Sequence, residues 1–163
     1  MMLKSLITLL LLASCSAAPP RLEVSVESLA GNWKCGPTTV TGELVTVTVE
    51  TLNHNYRDGK FETLTTSVIT PKGESSITTQ DRTWGTWKAQ DGEYISSVDG
   101  VQFLSSSDPT LSLEFGQKVH ERELAKKSTY RSKVLILTET ETITIPVDSL
   151  YKEAEVENRC KRV

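Results

Sequence analysis

The sequence predicts a mainly β domain, an antiparallel up-and-down barrel of about eight to ten strands with one inserted helix. Three observations carry this expectation. Val45, Val47 and Val49 alternate with Thr46, Thr48 and Glu50 within Leu44–Leu52, the period of a strand with one buried face. Further short runs rich in Thr, Val and Ser follow, separated by turn signals at Asp58-Gly59, Pro71-Lys72-Gly73, Asp91-Gly92 and Asp99-Gly100. Only after Asp108-Pro109 does the apolar spacing change to four residues, at Leu111, Phe115 and Val119. The 163 residues, 37% of them hydrophobic, suffice for one packed core and not comfortably for two. Up-and-down order with short turns lets a small sheet close on itself without open edges.

The first segment is an address. Lys4 precedes a seven-residue apolar run, Leu6 to Leu12, followed by small residues. Seven helical residues rise about 10 Å against a hydrocarbon core of roughly 30 Å, so the run suits a secretory signal and not a spanning helix. Leu12-Ala13-Ser14-Cys15 resembles the lipobox of bacterial lipoproteins. The resemblance implies cleavage after residue 14 and a mature chain that starts at Cys15, lipidated on its thiol and its amino group. Several acyl chains anchor a protein that one chain would hold only marginally. Ser16 stands where an Asp would signal inner-membrane retention, so the resemblance implies a lipid-anchored protein of the outer membrane of a Gram-negative bacterium, on its periplasmic face. Cleavage removes one of 18 basic residues and none of the 21 acidic ones, which takes the net charge from −3 to −4. Residues 15–28, with Pro19-Pro20 and few large apolar side chains, are expected to form a tether, and residues 29–163 the barrel domain.

With Cys15 assigned to lipid, Cys35 and Cys160 remain, one near each end of the domain. An even pair in an exported chain is read as one disulfide, which would bring the first and last strands together. A metal site drawing on His54 and His120 is the alternative, but no pair among these four residues has ligand-like spacing.

After the Leu44–Leu52 strand, Lys60–Ile69 is expected to return from the Asp58-Gly59 hairpin. Ser75–Gln80, Thr83–Gln90, Glu93–Ser97 and Val101–Ser105 follow as separate short strands. Asp108 is an N-cap candidate with Pro109 at the first helical position, and Lys126 and Lys127 suit the negative end of a helix dipole, so a helix is predicted from Pro109 to about Lys127. Strands resume at Val134–Leu137 and Thr140–Pro146. The last is expected over Tyr151–Arg162, with Ala154, Val156 and Cys160 on one face.

Gly31-Asn32-Trp33 at the predicted first strand resembles the Gly-x-Trp signature of lipocalins. Together with Trp33-Lys34-Cys35, Gly85-Thr86-Trp87-Lys88, Asp91-Gly92 and the terminal Cys160-Lys161-Arg162, it is similar to small bacterial lipocalin-like lipoproteins over most of residues 29–162. The resemblance implies that Trp33 closes the barrel floor beside an arginine of the last strand, for which Arg159 and Arg162 are both candidates. It also implies a ligand cavity, with Val45, Val47, Val49 and Trp87 as candidate lining residues. Small side chains around Gly85 and the threonines of Lys60–Ile69 favour unfilled volume, expected to open away from Trp33 with apolar walls and threonine hydroxyls.

The chemistry-bearing residues are sparse. No serine stands in a nucleophile elbow, His54 and His120 fall where surface side chains are expected, and nothing in the sequence buries the Glu139/Glu141 pair. No basic run is present to neutralise a phosphate backbone, so nucleic acid is not an expected partner. An enzyme is not expected, nor any cofactor or metal. Two functions remain: binding of a small apolar or amphipathic ligand in the barrel, or a protein-interaction role at the outer membrane, as inhibitor, pilot or assembly factor, through the face of the inserted helix.

Overall fold

A computed structural model describes residues 20–149 and 152–163. Eight antiparallel strands close into a barrel in up-and-down order: β1 (Gly31–Thr41), β2 (Val45–Asn55), β3 (Lys60–Pro71), β4 (Ile77–Gln90), β5 (Glu93–Ser106), β6 (Thr129–Leu137), β7 (Glu141–Pro146) and β8 (Asn158–Arg162), with β8 returning to β1. A single helical turn, α1 (Val26–Leu29), precedes β1, and α2 (Leu113–Lys126) joins β5 to β6.

The strands differ in length, and that difference shapes the molecule. β4 and β5 have 14 residues each, while β7 has 6 and β8 has 5. β5 meets β6 only along Glu93–Ser97, and β8 meets β1 only along Trp33–Cys35. Closure is therefore confined to the end that holds Trp33, and the far half of β5 runs past β6. There α2 takes over. Gly116 of α2 is buried against Phe103 of β5. Phe103 pairs with Asp81, which shares the inward face of Trp87 by strand alternation, so α2 covers the inner face that β6 leaves open.

The turns at Asp58-Gly59 and Asp91-Gly92 form as predicted, with Asp91 and Gly92 at φ 53° and 78°, the left-handed pair a tight hairpin requires. Elsewhere the expected boundaries shift. Ser75–Gln80 and Thr83–Gln90 are not two strands, because β4 runs unbroken from Ile77 to Gln90. Asp99-Gly100 is a bulge within β5 and not a turn: Trp84 pairs with Gly100 and Gly85 with Val98, leaving Asp99 as the extra residue. The helix starts later than Pro109. Asp108 spends its carboxylate on Thr110, accepting from its N–H at 2.8 Å and its hydroxyl at 2.7 Å, and Ser112 caps α2 by accepting from the Phe115 N–H. The last strand is shorter than Tyr151–Arg162. Residues 152–154 form a 3-10 turn, so Ala154 and Val156 lie outside β8, and Tyr151 lies outside the described residues.

The core gathers Leu29, Ala30, Trp33, Cys35, Phe61, Trp87, Leu137 and Cys160. Leu22, Val24 and Val26 pack against it, and the Leu22 N–H donates to the Leu137 carbonyl at 2.8 Å. Part of the segment expected to be a tether thus belongs to the fold. Cys35 and Cys160 face each other across β1 and β8 and form the disulfide. A bridge over 125 residues of sequence stabilises by roughly 4–5 kcal/mol in the chain-entropy model.

Candidate functional site: the barrel floor and its cavity

Trp33 lies at the closed end of the barrel, 2% exposed, with its indole N–H donating to the Leu29 carbonyl at 2.9 Å. Arg162 stacks on it, the guanidinium carbon 4.2 Å from the ring centroid. The same guanidinium donates to the carbonyls of Ser28, Ala30 and Glu139, each at 2.7 Å. Arg159 is elsewhere, exposed and paired with Glu157 at 3.1 Å and Glu141 at 4.0 Å. Strand parity separates the two. Cys160 points inward, so Arg162 falls on its face of β8 and Arg159 on the other.

Beside this floor is a cavity of about 130 Å³. Leu29, Trp33 and the Cys35–Cys160 bridge supply its apolar wall, while Asn53, Asn55, Tyr94, Ser132, Thr142, Thr144 and Asn158 supply polar groups. Several of these are committed to the protein. The Asn53 amide donates to Cys35 Sγ and accepts from the Thr63 hydroxyl; the Asn55 amide donates to the Leu29 carbonyl and accepts from the Tyr94 hydroxyl at 3.1 Å. Burial pushes the Tyr94 hydroxyl far above its ordinary pKa, so it stays a neutral donor. The Thr142 hydroxyl donates to the Ile136 carbonyl, and the Asn158 carbonyl oxygen accepts from the Thr38 hydroxyl. Among the described residues, the Ser132 hydroxyl, the Thr144 hydroxyl and the Asn158 amide nitrogen make no hydrogen bond within the protein. Thr144 and Asn158 are direct partners across β7 and β8, and Ser132 is on β6, so the three groups share one wall.

The residues predicted to line a cavity lie in different surroundings. Val45, Val47 and Val49 share a β2 face with Asn53 and Asn55, but they occupy the far end of that strand and none borders this cavity. Trp87 is buried in the core, donates to the Tyr56 carbonyl at 3.0 Å and stacks on Tyr94 at 5.4 Å, so it supports a lining residue without reaching the cavity. His54 packs on the Tyr56 ring, and His120 of α2 packs on Phe103. Near His120, burial raises the pKa of the Asp81 carboxyl, opposed by the charge of His120 and a hydrogen bond from Thr65. Cys15 lies outside the described residues.

Threonine hydroxyls were expected in the lining, but from Lys60–Ile69 and not from β7, and the asparagines, Ser132 and Tyr94 were not anticipated. One signal for part of it was available: Asn53 and Asn55, two apart on a strand, must face the same way. Ser132, Thr144 and Asn158 carry no local mark, because their proximity depends on the pairing of β6, β7 and β8.

In comparisons with known proteins, no protein-family model matches the chain and no curated protein matches it significantly in sequence.

Proposed function

We propose that the chain is a lipid-anchored envelope lipoprotein of the lipocalin-like type, attached through Cys15 at the outer membrane, whose barrel holds a small amphipathic molecule beside Trp33. The Leu12-Ala13-Ser14-Cys15 motif supports the anchor. The closed eight-stranded barrel with an arginine stacked on its Gly-x-Trp tryptophan supports the type. The observation that carries ligand binding is the cavity itself, with three uncommitted polar groups on one wall and Trp33 with the disulfide on another. Its volume is close to the roughly 150 Å³ of a cavity that accepts benzene, which fits one small ring or the end of a longer molecule. Polar groups fix the orientation of a ligand whose remaining surface is apolar.

Native mass spectrometry of the soluble domain from Pro20 onward, purified without detergent, tests this reading. A stoichiometric small mass on the folded protein is expected, and a clean apo mass counts against it. A second reading, a protein-interaction role, is favoured by Leu113 and Phe115 on the first turn of α2, 57% and 58% exposed. It predicts an envelope partner in pull-down that is lost when both are replaced by Glu.

A further inference from the structure

The outer wall of the barrel carries an aromatic platform separate from the interior cavity. Trp84 points outward from β4 and is 41% exposed. It faces Gly100 across the β4–β5 ladder, and a Cβ at Gly100 would stand only 2.3 Å from Trp84 Cζ2 and 2.5 Å from Cε2. Glycine at this position lets the indole lie down on the sheet, one π face against the strand and the other toward solvent. The bulge at Asp99 sets the seat, an irregularity of the kind that re-aims side chains.

A groove of about 660 Å³ runs past this ring, and its polar border includes Tyr56, Lys60, Glu62, Arg82, Asp99 and Gln102. Glu62 is the cross-strand neighbour of Trp84 on β3 and holds Arg82 in an ion pair at 2.8 Å. Gln102 pairs with Arg82 across β4 and β5. Tyr56, 42% exposed, adds a second aromatic surface. The groove therefore combines a flat π face with carboxylate acceptors, a guanidinium fork and an amide.

We infer that this groove binds a saccharide, with one face of a hexopyranose ring on Trp84 and its hydroxyls on Glu62, Arg82, Asp99 and Gln102. The C–H bonds on a sugar face present partial positive charge to the negative π face of the indole. Hydroxyls both donate and accept, which matches a rim that offers carboxylates beside a rigid donor fork. A purely apolar ligand would strip water from Glu62 and Arg82 and return no hydrogen bond. A nucleotide base has the shape to stack on Trp84, but the two cations of the groove, Arg82 and Lys60, are each already paired with a carboxylate, Glu62 at 2.8 Å and Asp58 at 3.5 Å, and Asp99 adds a further negative charge, so a phosphate would have to displace those partners.

The test is isothermal titration calorimetry of the purified full-length protein, in a detergent without a sugar headgroup, against cellotetraose and chitotetraose. Both are β-linked and present flat ring faces. Saturable binding of at least one is expected, with Kd about 0.1–1 mM. Trp84→Ala is expected to weaken it at least ~10-fold, a change of about 1.4 kcal/mol. Because Trp84 also covers Gly100, Glu62→Ala serves as the second variant: it breaks only an exposed ion pair, of small consequence for folding, and is expected to weaken binding about threefold. Absence of binding by both sugars, or wild-type affinity in both variants, overturns the proposal.

Discussion

Arg162 does at one position what a small barrel otherwise needs several residues to do. Its guanidinium ties the carbonyls of Ser28 and Ala30, in the chain leading into β1, to that of Glu139 before β7, and at the same time covers the Trp33 ring. A lysine would keep the charge but lose the planar fork that reaches three acceptors. Arg162→Lys is therefore expected to cost about 2–3 kcal/mol, from charged hydrogen bonds and the cation–π contact together, and to lower the melting temperature by roughly 5–10 °C. Thermal unfolding followed by circular dichroism checks this, and a shift within 1–2 °C of wild type would remove Arg162 from its place as the keystone of the floor. The sequence offered Arg159 and Arg162 equally. The choice needed the inward orientation of Cys160, which follows from the disulfide and then settles Arg162 by counting two residues along the strand.

α2 owes its position to a missing side chain. A Cβ at Gly116 would come within 2.4 Å of the Phe103 ring, so the helix lies closer to β5 than any larger residue would permit. The Gln117 side chain then bridges the two elements, accepting from the Phe103 N–H at 2.9 Å and donating to the Val101 carbonyl at 3.0 Å. Gly116→Leu, although it raises helix propensity, is expected to push α2 off β5 at a cost of about 1–3 kcal/mol. Limited proteolysis should then cut between residues 107 and 128 while the β signal in circular dichroism persists. A protected segment in this variant would mean that α2 does not depend on the Gly116 contact. Leu111, Phe115 and Val119 predicted a helix here and one forms, but neither its start nor its buried face follows them: Leu111 precedes α2, Phe115 is exposed, and Gly116 is the residue buried against β5. Asp108-Pro109 carries the features of a cap, yet the Asp108 carboxylate turns to Thr110, and Ser112, not singled out from the sequence, receives the Phe115 N–H.

The barrel was legible as a whole because its causes are local and repeated. Alternating valines in β2, tight turns at Asp58-Gly59 and Asp91-Gly92, and one cysteine near each end of the domain all point to a sheet that returns to its first strand. The interior was less legible for the opposite reason. Whether Asp99-Gly100 turns the chain or only bulges it depends on the neighbouring strand β4, which runs unbroken alongside and keeps β5 paired on both sides of Asp99, and the cavity wall is assembled from β6, β7 and β8 by pairing that no short motif encodes. Val45, Val47 and Val49, the residues with the clearest pattern, consequently fall away from the cavity, while Ser132, Thr144 and Asn158 line it. The central claim, that this cavity holds a ligand, is tested most directly by comparing the native mass spectra of the wild-type domain and Ser132→Phe, in which a ring fills the volume beside Trp33 at an overpacking cost of about 1–3 kcal/mol. The account predicts a bound small mass on the wild type that disappears from the folded variant; the same bound mass on both proteins, or none on the wild type, would contradict it.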